Sequence, residues 1–412
     1  MALSPLRPPR NPILVNATRV SAVEHVSTRK TVGIYLAAIE LIRQNAGMGI
    51  SRGIASRFNR ANRDLYPEHL FYGPEWIVLG VNNICNLHCA MCDVGLGYES
   101  SNFYQHLMGA RPINMPLPLI ERIIEQTASY FPSAKLGYAF TEPGIYPHLV
   151  ASLRRADELA LHTAVTTNGL RLPNLARDLA DAGLNELFVS LDGPPEIHNQ
   201  IRGHRKSFQR AFDGIVKTMS LSGRRPEVSV FCTVTPWNIG HLEEFVELFS
   251  DIPLSRIGFM HTNFTTAEVA EQHNRDYGDR YPATPSNVEE LDFDRMDLDV
   301  LWENIAAIKK GKYNFPVSFS PEITDREGLR KFYREPGTLI GRSCSDAFRC
   351  IMFKSDGTVI PAHGRCYRVT GGSIYNNNLK ELWNSAAIGE FRRTLTRAKG
   401  LLPACARCCS AF

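Results

Sequence analysis

The feature that most constrains the fold of this chain is a regular alternation of short apolar strands and helical stretches from Trp76 onwards. Strand-like runs occur at 76–81, 134–140, 162–167, 186–191, 227–235 and 256–260. Helical stretches between them occupy 117–131, 146–160, 172–183, 207–221 and 240–250. Such an alternation predicts parallel strands joined by right-handed helical crossovers, as an open sheet or a partly closed barrel. Chemistry in these folds collects at the carboxyl ends of the strands.

The flanking segments predict an extension on each side of this core. Residues 1–72 carry ten Lys or Arg against four Asp or Glu, and they include an apolar helical run at 32–42. We expect that helix either to pack on the main domain or to lie at an anionic surface, where it would make a peripheral membrane contact. After the sixth strand we expect a long loop at 263–295, a helix at 297–310, a strand at 315–320 and a charged linker at 324–337.

Composition excludes several classes of protein. Apolar residues make up 44% of the 412 residues and charged residues 21%, which is typical of globular chains. No apolar stretch reaches the roughly 18 residues that a membrane span needs. The N-terminus lacks the apolar core of a secretory signal, so we expect a cytoplasmic protein. The net charge of +4 does not indicate nucleic acid binding.

The ten cysteines are clustered rather than spread. Cys85, Cys89 and Cys92 lie within eight residues, and six more lie after residue 343. In a reducing compartment such clusters indicate metal ligands more often than disulfides. Sets of thiolates without histidine at zinc-finger spacing suit iron–sulfur clusters or a zinc ion with four cysteines.

The first cysteine set follows the first strand with the spacing C-x3-C-x2-C. Three thiolates on one short loop can bind three irons of a cubane and leave the fourth iron open to a ligand. A structural zinc would need a fourth ligand such as His88, which lies between two of the cysteines and would strain a tetrahedral site.

This segment resembles the signature C-x3-C-x-Φ-C of the radical S-adenosylmethionine (radical SAM) superfamily, with Met91 at the apolar position. The resemblance extends over residues 76–262. It implies that S-adenosylmethionine (AdoMet) chelates the open iron and is reductively cleaved to a 5′-deoxyadenosyl radical. It also implies a partial (β/α)6 TIM-like barrel, here with a helical N-terminal extension (1–72), the barrel at 73–325 and a small cysteine-rich C-terminal domain at 326–412.

Residues at or after the strand ends carry the rest of the resemblance. Phe140-Thr141-Glu142-Pro143 is similar to the family's G-G-E-P segment with its glycines replaced, and 167–169 matches its T-N-G. Residues 190–203 resemble its S-L-D-G…H…R-G pattern. The resemblance implies that Glu142 holds the AdoMet ammonium, Ser190 faces the ribose and Arg202 binds the carboxylate. The implied AdoMet-binding set is Glu142, Thr167, Asn168, Ser190, Asp192, Arg202 and Asn238.

The C-terminal cysteines resemble the twitch or SPASM-type extension of radical SAM enzymes. An Asp-Gly turn predicts a β-hairpin at 353–361, and 379–395 reads as one helix. The segment implies one auxiliary [4Fe–4S] cluster. Ala362 occupies the usual position of the second cysteine, and Cys366 follows four residues later. The predicted ligands are Cys344, Cys366, Cys405 and Cys408.

Alternatives remain open for the auxiliary site and for other polar residues. Cys350 could replace Cys344, Cys409 could replace Cys408, and a four-cysteine zinc site is an alternative metal centre. Cys232 lies on the apolar face of the fifth strand and is predicted to be core. His261 and Asn263, after the sixth strand, either line a substrate pocket or have structural roles.

Together these patterns predict an enzyme that abstracts a hydrogen atom from a small-molecule substrate. An auxiliary cluster would assist oxidation or radical coupling, and a flavodoxin or ferredoxin would supply the reducing electron. A peptide-modifying maturase, of the ribosomal-peptide or sulfatase type, is the alternative enzyme. An iron–sulfur electron-transfer or scaffold protein is the alternative that is not an enzyme.

Overall fold

The computed structural model of this protein describes residues 52–108, 111–288 and 290–411. Residues 62–412 form one compact unit, and a second unit of residues 1–61 is described only from residue 52 onwards. The predicted helix at 32–42, with its expected membrane contact, lies outside the described residues. Within those ranges no helix is both long and apolar enough to cross a bilayer. The division at 72/73 and 325/326 stays a prediction.

The described residues build one mixed sheet whose strands confirm the predicted parallel core. The strands are β1 Trp76–Leu79, β2 Lys135–Tyr138, β3 Thr163–Thr167, β4 Glu186–Ser190, β5 Glu227–Val234, β6 Arg256–His261, β7 Val317–Ser320, β8 Cys350–Phe353 and β9 Val359–Pro361. Their order is β7-β6-β5-β4-β3-β2-β1-β8-β9. Every neighbouring pair is parallel except β8 and β9.

Helices follow most strands, as the alternation predicts. In the described ranges they are α1 Arg52–Leu65, α2 Asp93–Leu96, α3 Asn102–Leu107, α4 Leu117–Tyr130, α5 Leu149–Glu158, α6 Leu172–Asp181, α7 Pro195–Arg202, α8 Ser207–Met219, α9 Leu242–Glu247, α10 Ala267–Tyr277, α11 Leu298–Lys310, α12 Arg326–Arg334, α13 Leu379–Trp383 and α14 Ala386–Arg397. Strand residues such as Ile77 and Leu136 are fully buried, together with Ile120 and Ile123 of α4. Apolar burial of this kind is the main stabilising term of the fold.

Two segments that the sequence predicts to be irregular are helices, so those predictions are wrong. The expected loop at 263–295 contains α10, which begins after Thr266, whose side chain accepts a hydrogen bond from the Val269 backbone. The expected linker at 324–337 contains α12, where the Asp325 carboxylate caps the Gly328 N–H at 2.7 Å. Both caps supply a partner to a helix N–H that would otherwise lack one, which stabilises helices in polar sequence.

The predicted single helix at 379–395 is also wrong, because it is interrupted after Trp383. The side chain of Asn384 exchanges hydrogen bonds with the Leu70 backbone, accepting from its N–H and donating to its carbonyl, each at 2.9 Å. Trp383 donates its indole N–H to the carbonyl of Tyr72 at 2.7 Å. Tertiary hydrogen bonds therefore outweigh local helix propensity at this position.

The predicted hairpin exists as β8 and β9, and Gly357 occupies its turn with a φ of 80°. Strand β8 also pairs in parallel with β1, from Trp76 opposite Cys350 to Leu79 opposite Phe353. Strand β7 likewise extends the sheet beyond β6. The C-terminal segment therefore continues the same sheet as the barrel strands, next to the strand that leads into the first cysteine loop.

Candidate functional site

The three cysteines of the C-x3-C-x2-C loop line one cavity at the carboxyl end of the sheet. The cavity has a volume of about 230 Å³, and Cys85, Cys89 and Cys92 are all in its wall. The loop is fixed to α7 by a hydrogen bond from the Ala90 N–H to the Ile201 carbonyl at 2.8 Å. Three sulfurs of one short loop are the donor set that a cubane cluster with one open iron requires.

Burial raises the pKa of two of these thiols, those of Cys85 and Cys89. It raises the pKa of Cys89 to about 12, and the neighbouring guanidinium of Arg202 opposes that rise. Arg202 Nη1 lies 3.7 Å from the Cys89 sulfur. Burial also raises the pKa of Cys85. Iron binding must displace these protons, so assembly of a cluster is coupled to proton release.

Glu142 presents a buried carboxylate to the same cavity. Its side chain accepts hydrogen bonds from Thr167 Oγ1 at 2.6 Å, from the Asn168 N–H at 2.8 Å and from the Gly144 N–H at 2.7 Å. Burial raises the pKa of Glu142, and these donors act against the rise. Each carboxylate oxygen has two lone pairs, so three donors leave room for a further cationic partner.

The segment before Glu142 keeps the backbone conformation of a glycine although it has none. Phe140 has a φ of 81°, in the left-handed region that side chains with a Cβ rarely adopt. The next residue, Thr141, donates to the Asn82 carbonyl at 2.7 Å, and Asn82 Nδ2 donates to the Glu142 carbonyl at 2.9 Å. Asn82, three residues after β1, therefore holds this turn with two hydrogen bonds.

The strand ends bring the other predicted residues to this edge. Thr167, Asn168, Ser190 and Arg202 all line the cavity with Glu142. The amide of Asn168 also donates to Asn86 Oδ1 at 2.8 Å and so joins the end of β3 to the cysteine loop. The parallel arrangement explains this gathering, because the carboxyl ends of parallel strands share one edge of a sheet.

Two predicted residues lie behind the cavity wall rather than in it. Asp192 accepts from Arg202 Nε at 2.5 Å and from the Thr233 N–H at 2.9 Å. Asn238 donates to the Thr233 carbonyl at 2.7 Å and accepts from the Thr235 N–H at 2.8 Å. Neither is among the residues that line the cavity. Both side chains have their hydrogen bonds inside the protein, so the structure places them as supports of Arg202 and of the turn after β5.

Cys366, Cys405 and Cys408 line a second, smaller cavity of about 70 Å³. The buried thiol of Cys366 has its pKa raised by burial and by the nearby thiols of Cys344, Cys405 and Cys408. Cys350, by contrast, pairs with Trp76 at the first residue of β1. Cys366, Cys405 and Cys408 therefore line one cavity with Cys344 near them, and Cys350, which also interacts with Cys344, lies at the amino end of the sheet.

His363 adds a donor that the sequence did not indicate. Its Nε2 lies 3.9 Å from the Cys408 sulfur and 3.7 Å from the Cys409 sulfur. These three ligand atoms all lie within 4.8 Å of one another. The only indication of His363 in the sequence is that it follows Ala362, which stands where the SPASM-type segment usually has its second cysteine. Ala362 has a φ of 56°, so the chain turns at this position.

The two cavities share Asn263 and Arg365 in their walls. His261 and Asn287 line the first cavity, where His261 Nε2 and Asn287 Oδ1 are buried without a hydrogen-bond partner in the described residues. Arg365 and Asn287 were missed by the sequence analysis, because their segments reach the site only through the tertiary fold. Cys232 is fully buried in β5, as predicted.

Comparison with protein families agrees with this fold and with these two cysteine sets. Residues 80–249 match the model of the radical SAM superfamily. Residues 344–409 match the SPASM model, an iron–sulfur cluster-binding domain. The first range holds the C-x3-C-x2-C loop and the strand-end residues, and the second holds the C-terminal cysteines.

Among characterised relatives, the chain is similar to a probable GTP 3′,8-cyclase of Methanocaldococcus jannaschii. The two are 30% identical over 176 residues, 42% of this chain and 54% of the relative. A GTP 3′,8-cyclase of Vibrio parahaemolyticus is 26% identical over 183 residues, 43% of this chain and 52% of the relative. The chain thus spans about half the length of these relatives.

Solved structures show the same fold at low sequence identity. Streptococcus suis SuiB bound to S-adenosylmethionine superposes with a TM-score of 0.54 at 16% identity, covering 88% of this chain and 80% of that one. The protein anSMEcpe with bound AdoMet gives 0.51 at 17% identity, covering 77% and 82%.

The protein combines a mostly parallel α/β sheet, a cysteine loop at its carboxyl end and a second cysteine set around a neighbouring cavity. The chain contains a radical SAM domain at residues 80–249 and a C-terminal SPASM-type domain at residues 344–409. The family match and the relatives support an enzyme. Its family cofactors are a [4Fe–4S] cluster with AdoMet, and its SPASM-type domain implies auxiliary iron–sulfur binding. The sulfur donor sets of both cavities fit these groups.

Proposed function

We propose that this enzyme abstracts a hydrogen atom from a small-molecule substrate held between its two cysteine sets. One observation carries the proposal: the cavity of the first cysteine loop and the cavity of the C-terminal cysteines share Asn263 and Arg365 in their walls. A substrate at this junction would lie next to both sites. When bound, the cluster and AdoMet supply a 5′-deoxyadenosyl radical, and an auxiliary cluster assists oxidation or radical coupling of the substrate.

Within this proposal, Cys85, Cys89 and Cys92 bind the first cluster, and Cys344, Cys366, Cys405 and Cys408 bind the auxiliary one. Glu142 holds the ammonium of AdoMet, and Arg202 binds its carboxylate. Thr167, Asn168 and Ser190 complete the wall around AdoMet. Asp192 and Asn238 act as positioning residues, because their hydrogen bonds orient Arg202 and the turn after β5.

The size of the cavity favours a small substrate. Pockets that enclose one drug-sized ligand measure roughly 300–1,000 Å³. The first cavity measures about 230 Å³, below that range. Its limited space favours a small molecule over a bulky structured peptide.

The experiment is the formation of 5′-deoxyadenosine by anaerobically reconstituted protein with AdoMet and dithionite. We expect slow product formation in the absence of substrate, and none in the Cys85→Ala/Cys89→Ala/Cys92→Ala variant. Cys409→Ala is the control, because Cys409 lines neither cavity and is not among the predicted ligands. Product formation by the triple variant would contradict the proposal.

The same assay separates a small-molecule substrate from a peptide. Cells grown in heavy water provide deuterated extracts, which ultrafiltration and peptide capture divide into a small-molecule fraction and a peptide fraction. The hydrogen atom removed from the substrate is carried by 5′-deoxyadenosine, so deuterium in that product identifies the fraction that contains the substrate. Transfer from the peptide fraction alone would favour the maturase alternative.

A further inference from the structure

Arg365 is a cation at the junction of the two cavities and forms no ion pair with a carboxylate in the described residues. Its guanidinium takes part in none of the ion pairs or side-chain hydrogen bonds of those residues, although it carries five N–H donors. The other arginines of the cavity walls are already paired. Arg202 is bound to Asp192, and Arg407 donates to backbone carbonyls, including those of Phe332 and Glu335. Arg365 is thus the wall arginine left with donors for a ligand.

The position of Arg365 is fixed by an aromatic ring. Its guanidinium lies 4.1 Å from the centre of the Phe103 ring, within the range of a cation–π interaction. Phe103 is buried and lines the second cavity beside Arg365. A guanidinium stacked on a ring keeps the edges of its plane free, and those edges bind carboxylate and phosphate oxygens in pairs.

A second donor faces the first cavity from β6. The Nδ1 of His261 lies 2.8 Å from the Tyr333 hydroxyl. Burial raises the pKa of Tyr333, so its hydroxyl keeps its proton. In the tautomer in which this hydroxyl donates to His261 Nδ1, the imidazole proton lies on Nε2. This Nε2 is the buried atom without a partner in the described residues.

We propose that the substrate is an anionic small molecule, whose carboxylate or phosphate binds Arg365 and whose polar atom near the reacting centre accepts from His261 Nε2. The inference rests on the proposed function, because it names the chemical class of the substrate for the same site. Arg365 is the charged anchor, and His261 is a neutral donor in the cavity that also contains the first cysteine set. The wall therefore offers an anionic substrate two donors: the guanidinium of Arg365 for its charged group and His261 Nε2 for a second polar atom.

The test uses the deuterated small-molecule fraction divided on an anion-exchange column. We expect the retained fraction to transfer deuterium to 5′-deoxyadenosine with the reconstituted holoenzyme. Phosphatase treatment of that fraction separates the two sources of charge: loss of transfer indicates a phosphate, and unchanged transfer indicates a carboxylate. Absence of transfer from the retained fraction would overturn the anion inference. Absence of 5′-deoxyadenosine itself would instead contradict the proposed function, so the two failures are distinct.

Variants then connect the charge preference to Arg365. We expect Arg365→Gln to reduce deuterium transfer about ten- to hundredfold, which is the effect of losing one charge-assisted contact. Arg365→Lys should recover part of the loss, because it keeps the charge without the paired donors. Arg368→Gln, at an exposed arginine of the same segment, is the control. Iron content and AdoMet affinity should match the parent in all three variants. A fall of either in Arg365→Gln would assign Arg365 to a cofactor and overturn the proposal.

Two variants test whether His261 donates a hydrogen bond to the substrate. His261→Phe keeps the ring and removes the donor, whereas His261→Gln keeps an N–H near the position of Nε2. We expect deuterium transfer to fall in the first variant and to be partly recovered in the second, with equal iron content in both. Equal transfer in His261→Phe and the parent would exclude His261 from substrate binding.

Discussion

The Nε of Arg202 donates to Asp192 Oδ2 at 2.5 Å in a pair that is almost fully removed from solvent. Burial alone would lower the pKa of Arg202, but the carboxylate of Asp192 raises it above its ordinary value. The pair places a permanent cation beside Cys89, whose sulfur lies 3.7 Å from Nη1. Asp192 thus controls the wall of the cavity without lining it.

We therefore expect Asp192→Asn to destabilise the protein by about 3–5 kcal/mol, because Arg202 would be left as a buried charge without its partner. AdoMet affinity should fall as well, since the guanidinium loses its fixed orientation. Urea unfolding of the apoprotein and AdoMet titration of the reconstituted protein measure the two effects. Asp178→Asn, at an exposed carboxylate of α6, is the control and should change neither. An unchanged unfolding midpoint in Asp192→Asn would show that the ion pair of Arg202 and Asp192 does not stabilise the fold.

The second prediction concerns acid stability. Burial lowers the pKa of His261 to about 3, whereas an unfolded histidine titrates near 6.5. Below about pH 6.5 the unfolded chain therefore binds a proton that the folded chain excludes, and stability falls as the pH falls. At pH 5 this protonation of the unfolded chain lowers the free energy of unfolding by about 2 kcal/mol, because each pH unit below about 6.5 contributes roughly 1.4 kcal/mol.

His261→Gln removes this titration, so the difference in unfolding free energy between parent and variant should shrink by about that amount between pH 8 and pH 5. Urea unfolding at the two pH values measures the change. His241→Gln, at an exposed histidine, should show no such convergence with the parent. Parallel pH profiles for parent and His261→Gln would show that His261 is not buried in its neutral form.

The third prediction tests the auxiliary ligands. The thiols of Cys405 and Cys408 lie close to those of Cys344 and Cys366, whereas Cys409 is near His363 and Cys408. The parent should therefore bind about eight irons in two [4Fe–4S] clusters. Cys408→Ser should lower the content towards four, and Cys409→Ser should leave it unchanged. Iron, sulfide and zinc analyses give the answer, and stoichiometric zinc would contradict an auxiliary iron–sulfur site.

The fourth prediction compares two substitutions at Phe140. Alanine and glycine both remove the ring, but alanine keeps a Cβ in the left-handed conformation, which costs about 1–2 kcal/mol. Phe140→Gly should therefore be more stable than Phe140→Ala by about 1 kcal/mol, the reverse of the usual order. Phe131, with a φ of −140°, is the matched site, and there alanine should be at least as stable as glycine. If the alanine variant were at least as stable as the glycine variant at both positions, the left-handed conformation of Phe140 would be contradicted.

The sequence predicted the six core strands because each is a short apolar run between helical stretches. It missed α10 and α12 because their polar surfaces conceal the few residues that pack inward, such as Val269 and Phe332. It also could not show that β8 pairs with β1, because that pairing joins residues nearly 300 positions apart. Local patterns specify elements, and distant pairings depend on the whole chain.

The same limit applies to the candidate site. Strand-end residues such as Glu142 and Ser190 were predictable, because parallel strands bring their carboxyl ends to one edge. The direction in which a side chain points could not be predicted in the same way. Asp192 and Asn238 belong to the same sequence pattern, yet their side chains point into the protein interior. Arg365 reaches the cavity only because the chain turns at Ala362, and nothing in its immediate sequence indicates that path.

The pairing of β1 with β8 also bears on how the protein is made. During synthesis, β1 leaves the ribosome long before residues 350–353, so one of its edges has no partner until most of the chain has been translated. An open strand edge is a site at which chains associate with one another. Chains truncated before residue 350 should therefore aggregate, and loading of iron into the first loop should be most productive after translation is complete.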